Sequence, residues 1–178
     1  NTTMLVALGT LATAQSNGTE KNDQALICLL NYAATNPGAC IRYKASNMVL
    51  YIHSNASYLS EAKARSHVGG HFFLSTKSTN PKKTLVRLPP NNGAIHTVSR
   101  ILKNVMSSAT EAEFAGLFHN ACDGAALRTT LIEMGHPQPP TPIQTDNSCA
   151  SGITNGTVRQ RKSKAMDMRF YWVQDRVL

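Results

Sequence analysis

The sequence lacks several common functional signatures. It has no phosphate-binding glycine motif, and none of its cysteines forms a CxxC pair, which argues against zinc. We expect the thiols to be reduced and mostly buried; they belong to Cys28, Cys40, Cys122 and Cys149. No segment approaches the about 18 apolar residues of a membrane span, so no membrane partner is expected. No Ser/His/Asp or Cys/His order stands out, which disfavours other hydrolase classes.

Acidic residues are scarce. The 178 residues include 10 Asp and Glu against 18 Lys and Arg, which gives a net charge of +8. Such a surface favours polyanions through steering and counterion release, although a basic protein need not bind nucleic acid. The candidates for phosphate contacts are Lys82, Lys83, Arg159, Arg161, Lys162 and Lys164. The chain starts at Asn1 rather than Met, and we expect it to be a piece of a longer polypeptide.

Hydrophobic periodicity predicts an α/β domain over residues 40–178, after a helical leader over residues 1–39 that ends at a Pro-Gly turn. Ser108 and Glu111 form a capping box that starts a helix. The adjacent strands before this helix and the single strand after it suggest a mixed sheet. The predicted strands are 40–43, 48–53, 69–75, 93–103 and 143–145, with a loop over 54–66, and the predicted helices are 23–34, 108–121, 125–134 and 165–175.

Three acids stand apart from those expected on solvated surfaces. Glu113 borders the apolar stripe of the first helix after the strands, Asp146 ends a strand, and Asp167 lies near the start of the last helix. Carboxylates on separate elements suit a hard cation such as Mg²⁺, and two such ions about 4 Å apart can cleave a phosphodiester. Taken singly, each acid is better explained as a cap or a surface charge, and patterning alone does not bring the three together.

Four segments carry a resemblance to a known family. They are His53–Leu59 (HSNASYL), Ser107–Phe114 (SSATEAEF), Gln144–Ser148 (QTDNS) and Lys162–Tyr171 (KSKAMDMRFY). In order and spacing, they resemble the ribonuclease H domain of copia-type long-terminal-repeat retrotransposon polyproteins. The resemblance covers about residues 40–176. It implies a ribonuclease H-like fold with a five-stranded mixed sheet flanked by helices, and a leader that is the tail of the reverse transcriptase connection.

The resemblance also implies a reaction and its partners. The family cleaves the RNA strand of RNA/DNA hybrids with two Mg²⁺ ions, or with Mn²⁺, beside the reverse transcriptase domain of the same polyprotein. The catalytic and metal-binding positions carried over are Asn55, Glu113, Asp146 and Asp167. Discrimination of RNA relies on backbone groups and small polar side chains. The candidate nucleic-acid-binding residues are Ser57, Ser108, Asn147, Ser148, Lys162 and Lys164.

Asn55 departs from the family pattern, which has Asp at this position. Asn keeps one carbonyl oxygen but loses the negative charge on which hard cations depend. We therefore expect weakened metal binding and impaired cleavage. Two alternatives stay open: a non-catalytic module that binds nucleic acid, and a structural remnant that packs against a reverse transcriptase.

Overall fold

A computed structural model of the chain describes residues 2–76, 89–158 and 172–176. The chain divides into two compact units, Asn1–Arg42 and Tyr43–Leu178. None of the helices in these ranges has the length and apolarity needed to span a membrane. Several residues singled out above lie outside the described ranges, namely Lys82, Lys83, Arg159, Arg161, Lys162, Lys164 and Asp167.

The first unit is a pair of helices. After a short 3₁₀ turn (Thr2–Met4), α1 spans Leu5–Thr13 and α2 spans Glu20–Thr35, which contains the predicted helix 23–34. Glu20 and Asp23 lie in the first turn of α2, where negative charge is favourable. The sequence did not predict α1, because its Thr- and Ala-rich segment has no strong apolar stripe.

The second unit contains a mixed sheet. Its strands are β1 (Val49–Glu61), β2 (Arg65–Ser75), β3 (Ala94–Ile101) and β4 (Ile143–Gln144). They lie in the order β3-β2-β1-β4, with the first three antiparallel and β4 parallel to β1. The predicted α/β class with a mixed sheet is confirmed. The described residues form four strands of this sheet, whereas the family resemblance implied five.

One long helix covers the sheet. Helix α3 spans Ala109–Glu133 and packs on β1 and β2, and α4 spans Ser148–Thr154. Residues 172–176 are also helical. The main core lies between α3 and one face of the sheet; its most buried members include Leu50, Ile52, Val68, Phe72, Ala112 and Ala115. Alternation along β1 therefore directs Leu50, Ile52 and Ser54 towards α3.

Three sequence predictions of local structure are wrong. Residues 40–43 do not form a strand, residues 54–66 are not a loop, and the helices predicted over 108–121 and 125–134 are one helix. Helix α4 was not predicted. The polar segment read as a loop continues β1, because its pairing with β2 persists through Ser57 and His67. Gly124 lies inside this single helix, where α3 meets Ile52, and a Cβ there would come 2.5 Å from Ile52 Cδ1.

The four cysteines have free thiols. The prediction that they are mostly buried is wrong, because Cys28, Cys40 and Cys149 are exposed and Cys122 is partly exposed. Cys28 is exposed on α2, and Cys40 is exposed in the irregular segment before β1.

Candidate active site

The capping box at the start of α3 is confirmed, with one difference. The Ser108 hydroxyl accepts a hydrogen bond from the Glu111 N–H at 3.1 Å. The Glu111 carboxylate bonds back to Ser107 rather than to Ser108, and accepts from its N–H at 2.7 Å and from its hydroxyl. Glu111 is therefore committed to the helix start, whereas Glu113 contacts β1, and Asp123 further along α3 pairs with Arg100 of β3.

The Glu113 carboxylate lies where β4 ends beside β1. The Ile52 N–H donates to the Pro142 carbonyl at 3.1 Å on the β4 side of β1. The Ala56 N–H points to the same side, because every second N–H of a strand shares a direction. Since β4 ends at Gln144, no β4 carbonyl meets Ala56, and Glu113 Oε1 accepts this N–H at 2.9 Å.

The environment of Glu113 disfavours its charged form. The residue is only 6% exposed, and burial raises the pKa of its carboxyl above the ordinary value. The nearby Asp146 charge raises this pKa further, whereas the Ala56 N–H and the Thr145 hydroxyl lower it. Within the described residues, Oε2 has no hydrogen-bond partner of ordinary geometry. A buried carboxylate oxygen without a partner is unfavourable, and a hydrogen-bond donor or a cation bound there would remove this cost.

Asn55 and Asp146 follow the same pair of strands. His53 of β1 pairs with Gln144 of β4 in the parallel register. Asn55 lies two residues after His53, and Asp146 lies two residues after Gln144, so the two positions follow this pair in the same direction. Neighbouring strands lie about 4.8 Å apart, and both side chains are exposed. Together with the effect of Asp146 on Glu113, this register places the three residues at one edge of the sheet. This set is called the β1–β4 site below.

The position of Asn55 within β1 differs from the prediction. The sequence placed it at the strand end, but β1 continues to Glu61, and Asn55 pairs with Gly69 of β2. What ends near Asn55 is the partner strand β4. No group of three His, Cys, Asp or Glu side chains suited to a metal occurs in the described ranges. The β1–β4 site has two carboxylates there, since position 55 is an amide and Asp167 lies outside them.

The residues predicted to contact nucleic acid fall into two groups. Ser108 and Asn147 cap helices; the Asn147 side chain accepts from the Ala150 N–H at 2.9 Å at the start of α4. Ser57 and Ser148 are exposed, and the Ser57 hydroxyl shares a 2.6 Å hydrogen bond with that of Ser60. Their role in binding stays a prediction.

Sequence reasoning missed Asn120, a fully buried residue of α3. Its amide donates to the Ser54 hydroxyl at 2.8 Å and to the Gly69 carbonyl at 3.0 Å. Ser54 precedes Asn55 in β1, and Gly69 is the strand partner of Asn55. Asn120 therefore fixes the backbone around position 55 from the helix side. The available signal was a polar residue four positions before Gly124, on the helix face that packs on the sheet.

Comparison with known proteins identifies a retrotransposon relative. No family model matches the chain. The chain is 22% identical over 171 residues to the retrovirus-related Pol polyprotein from transposon TNT 1-94 of Nicotiana tabacum. This match covers 96% of the chain and 12% of the polyprotein, so the chain spans a small part of that relative's length.

Two solved structures are also similar to the chain. One is LC11 ribonuclease H1 in complex with an RNA/DNA hybrid, with a TM-score of 0.48, 10% identity, and coverage of 71% of this chain and 75% of that one. The other is the N-terminal ribonuclease H domain of a Mycobacterium tuberculosis protein fused to maltose-binding protein, with a TM-score of 0.45, 9% identity, and coverage of 72% and 78%. The polyprotein match confirms the resemblance to retrotransposon polyproteins that the sequence motifs predicted.

Proposed function

We propose that this chain is a ribonuclease H-type domain that acts on RNA/DNA hybrids during retrotransposon reverse transcription, with cleavage impaired by Asn55. The observation that carries the proposal is Glu113, a buried carboxylate at the edge where Asn55 and Asp146 also lie, with one oxygen that no described residue partners. The match to a retrotransposon Pol polyprotein supports the same assignment.

The donor set of the β1–β4 site fits a hard divalent cation. Glu113, Asp146 and the Asn55 amide oxygen would hold it, and Asp167, outside the described residues, is the predicted fourth ligand. Two Mg²⁺ ions, or Mn²⁺, would supply an activated water and stabilise the leaving oxygen of the phosphodiester. The chain's own contribution is positional: the Ala56 N–H holds Glu113 Oε1, while Oε2 has no hydrogen-bond partner of ordinary geometry within the described residues.

Asn55 reduces the negative charge of this site. Within the described residues, Glu113 and Asp146 are its two carboxylates. An amide oxygen coordinates a hard cation without neutralising it, so affinity falls when Asn replaces Asp. The same change relieves repulsion between neighbouring carboxylates, which is compatible with a stable fold.

The decisive experiment restores the missing charge. Asn55→Asp should increase Mg²⁺-dependent cleavage of a labelled RNA/DNA hybrid by roughly a hundredfold or more, because removing one electrostatic contact to a transition state commonly costs about 10²–10³ in rate. The assay is run with Mg²⁺ and with Mn²⁺. Asn17→Asp is the matched control, since it adds the same charge at an exposed residue of the first unit.

A second substitution links any restored activity to the β1–β4 site. Adding Asp146→Asn to Asn55→Asp should abolish the gain. If Asn55→Asp is folded and binds the hybrid, but stays inert with both cations, position 55 does not carry the metal site as proposed.

Asn55 itself favours one alternative, a non-catalytic module that retains hybrid binding. In that case the wild-type chain would bind hybrids in a salt-dependent way without turnover. A purely structural remnant would instead fail to bind hybrids at low salt and would dock on a reverse transcriptase fragment. Hybrid binding measured beside the cleavage assay separates the three functions.

A further inference from the structure

A second polar constellation lies on the face of the sheet opposite α3. It consists of Glu61 at the end of β1, His67 of β2 and Ser99 of β3. His67 Nδ1 lies 2.9 Å from Glu61 Oε1, and His67 Nε2 lies 2.9 Å from the Ser99 hydroxyl. The imidazole is buried, with 8% of the residue exposed. One ring therefore connects a carboxylate and a hydroxyl through its two nitrogens.

Register shows how this constellation lies relative to the β1–β4 site: Ser99 shares the sheet face of Asn55 but lies two strands away from it, with Gly69 of β2 between them. His67 pairs with Ser57, and Ser99 pairs with Gly69, the partner of Asn55. Side chains at these positions point away from α3, because the alternate positions, including Ser54, face the helix. Glu113, by contrast, belongs to α3 itself.

The arrangement fixes how the ring can act. A carboxylate beside Nδ1 favours the tautomer with its proton on that nitrogen, which leaves Nε2 as the acceptor. The Ser99 hydroxyl then donates to Nε2. A carboxylate that orients an imidazole, and an imidazole that receives a hydroxyl proton, are the parts of an activated serine nucleophile.

Ser99 also has room for an incoming electrophile. The residue is partly exposed, and its strand partner Gly69 has no side chain. Within the described residues, a Cβ added at Gly69 would meet only the Asn55 carbonyl oxygen, at 3.8 Å. Among the described residues, no side chain therefore fills the space beside the hydroxyl on the β2 side.

We propose that Ser99 is an activated nucleophile for acyl and phosphonyl electrophiles, with His67 as its general base and Glu61 as the residue that orients His67. The step is a displacement in which the bond from Ser99 Oγ to the carbon or phosphorus forms. The bond to the leaving group breaks, and that group departs with the electron pair. The hydroxyl proton passes to His67 Nε2 and then to solvent. This proposal is independent of the nuclease function.

A fluorophosphonate probe tests the site on the full chain, with the modified residue identified by peptide mass spectrometry. Ser99 should react at least about a hundredfold faster than Ser57, because a positioned general base contributes roughly 10²–10⁴-fold. Ser57 is a matched reference: it is an exposed serine on the same face, and among the described residues its hydroxyl bonds to another serine hydroxyl, that of Ser60. Ser99→Ala should remove the fast labelling, and Ser60→Ala, at an exposed serine outside the candidate binding set, should preserve it.

Glu61→Gln distinguishes an activated serine from a purely structural hydrogen-bond chain. The variant keeps the size of the side chain and a hydrogen-bonding group beside His67, and circular dichroism checks its fold. Labelling of the folded variant should slow by tenfold or more, since the residual rate then depends on a poorly oriented base. Labelling of Ser99 no faster than Ser57, or a folded Glu61→Gln variant that reacts at the wild-type rate, overturns the proposal.

Discussion

At the scale of single residues, Glu113 couples the β1–β4 site to stability. Its pKa is raised in the fold, first by burial and then by Asp146. The folded chain therefore binds this proton more tightly than the unfolded chain does. Stability is greatest while Glu113 is protonated in both states, and it decreases as the pH rises from the ordinary Glu value through the raised pKa. The carboxylate thus costs stability at neutral pH.

Glu113→Gln should accordingly stabilise the metal-free protein at pH 7. Gln keeps an oxygen that can accept the Ala56 N–H and removes the buried charge. We expect the melting temperature to rise by a few degrees, since about 1 kcal/mol corresponds to roughly 2–4 °C at this size. At about pH 4 the difference should shrink, because the unfolded carboxyl is then also largely protonated. Thermal unfolding followed by circular dichroism measures both values.

Glu133→Gln is the control for this prediction. Glu133 lies at the end of the same helix but is exposed. The melting temperature of the Glu133→Gln variant should therefore match that of the wild type at both pH values. A Glu113→Gln variant that melts lower than the wild type at pH 7 would contradict the proposed cost of the buried charge.

The residues of the β1–β4 site differ in how far the sequence could predict them. Capping chemistry separated Glu111 from Glu113, and the structure confirms the cap. The sequence did not predict the structural role of Asn120, because that role depends on its hydrogen bonds to Ser54 and Gly69, which are distant in sequence. Hydrophobic periodicity reports which face of a helix is buried, but it does not report which buried polar group finds a partner.

At the scale of elements, small residues bring α3 close to the sheet. A Cβ at Gly70 of β2 would lie 2.3 Å from Asn120 Oδ1 and 3.0 Å from Phe72 Cε2. On the helix side, a Cβ at Gly116 would lie 3.5 Å from Ala56 Cβ, which is ordinary contact. The tightest approach is therefore at Gly70, beside the amide that fixes the strand around position 55.

Gly70→Ala should destabilise the protein by about 1–3 kcal/mol, the usual cost of overpacking a filled interior. Gly69→Ala is its neighbour in the same strand and should change stability by about 0.5 kcal/mol or less, since its added methyl meets only ordinary contact. Urea denaturation of the two variants measures the difference. Equal stability of the two would show that the packing of α3 on β2 is looser than these distances indicate.

Element boundaries show where sequence reasoning failed and why. It located β3 and β4 to within two residues, because turn-forming residues flank each of them. It stopped β1 too early, at the polar residues from Ser54 onward, although these pair with β2 through Ser57 and again at Glu61. A strand held by backbone hydrogen bonds to its neighbour tolerates polar side chains. The end of β1 therefore could not be predicted without knowing its pairing with β2.

At the scale of the whole molecule, composition and topology support the same proposed function by independent routes. The net charge of +8 predicts attraction to polyanions without locating a site. The parallel pairing of β4 with β1 brings Asn55 and Asp146 together, although they are 91 positions apart in the printed sequence. The composition gives the net charge directly. The closeness of Asn55 and Asp146 depends instead on a crossover connection between β1 and β4, which no local sequence pattern predicts.

Hybrid binding by the proposed domain should depend strongly on salt. A protein that neutralises six to ten phosphates loses about 10³–10⁵ in affinity between about 50 and 200 mM salt. If Lys162 and Lys164 contact phosphates, as the sequence predicts, the double change to Gln should reduce the slope of log affinity against log salt by about 2. Fluorescence anisotropy with a labelled RNA/DNA hybrid measures the slope. Lys21→Gln, an exposed lysine of the first unit, should leave it unchanged. Equal slopes for all three proteins would place the phosphate contacts elsewhere, because each lost contact must release one counterion fewer.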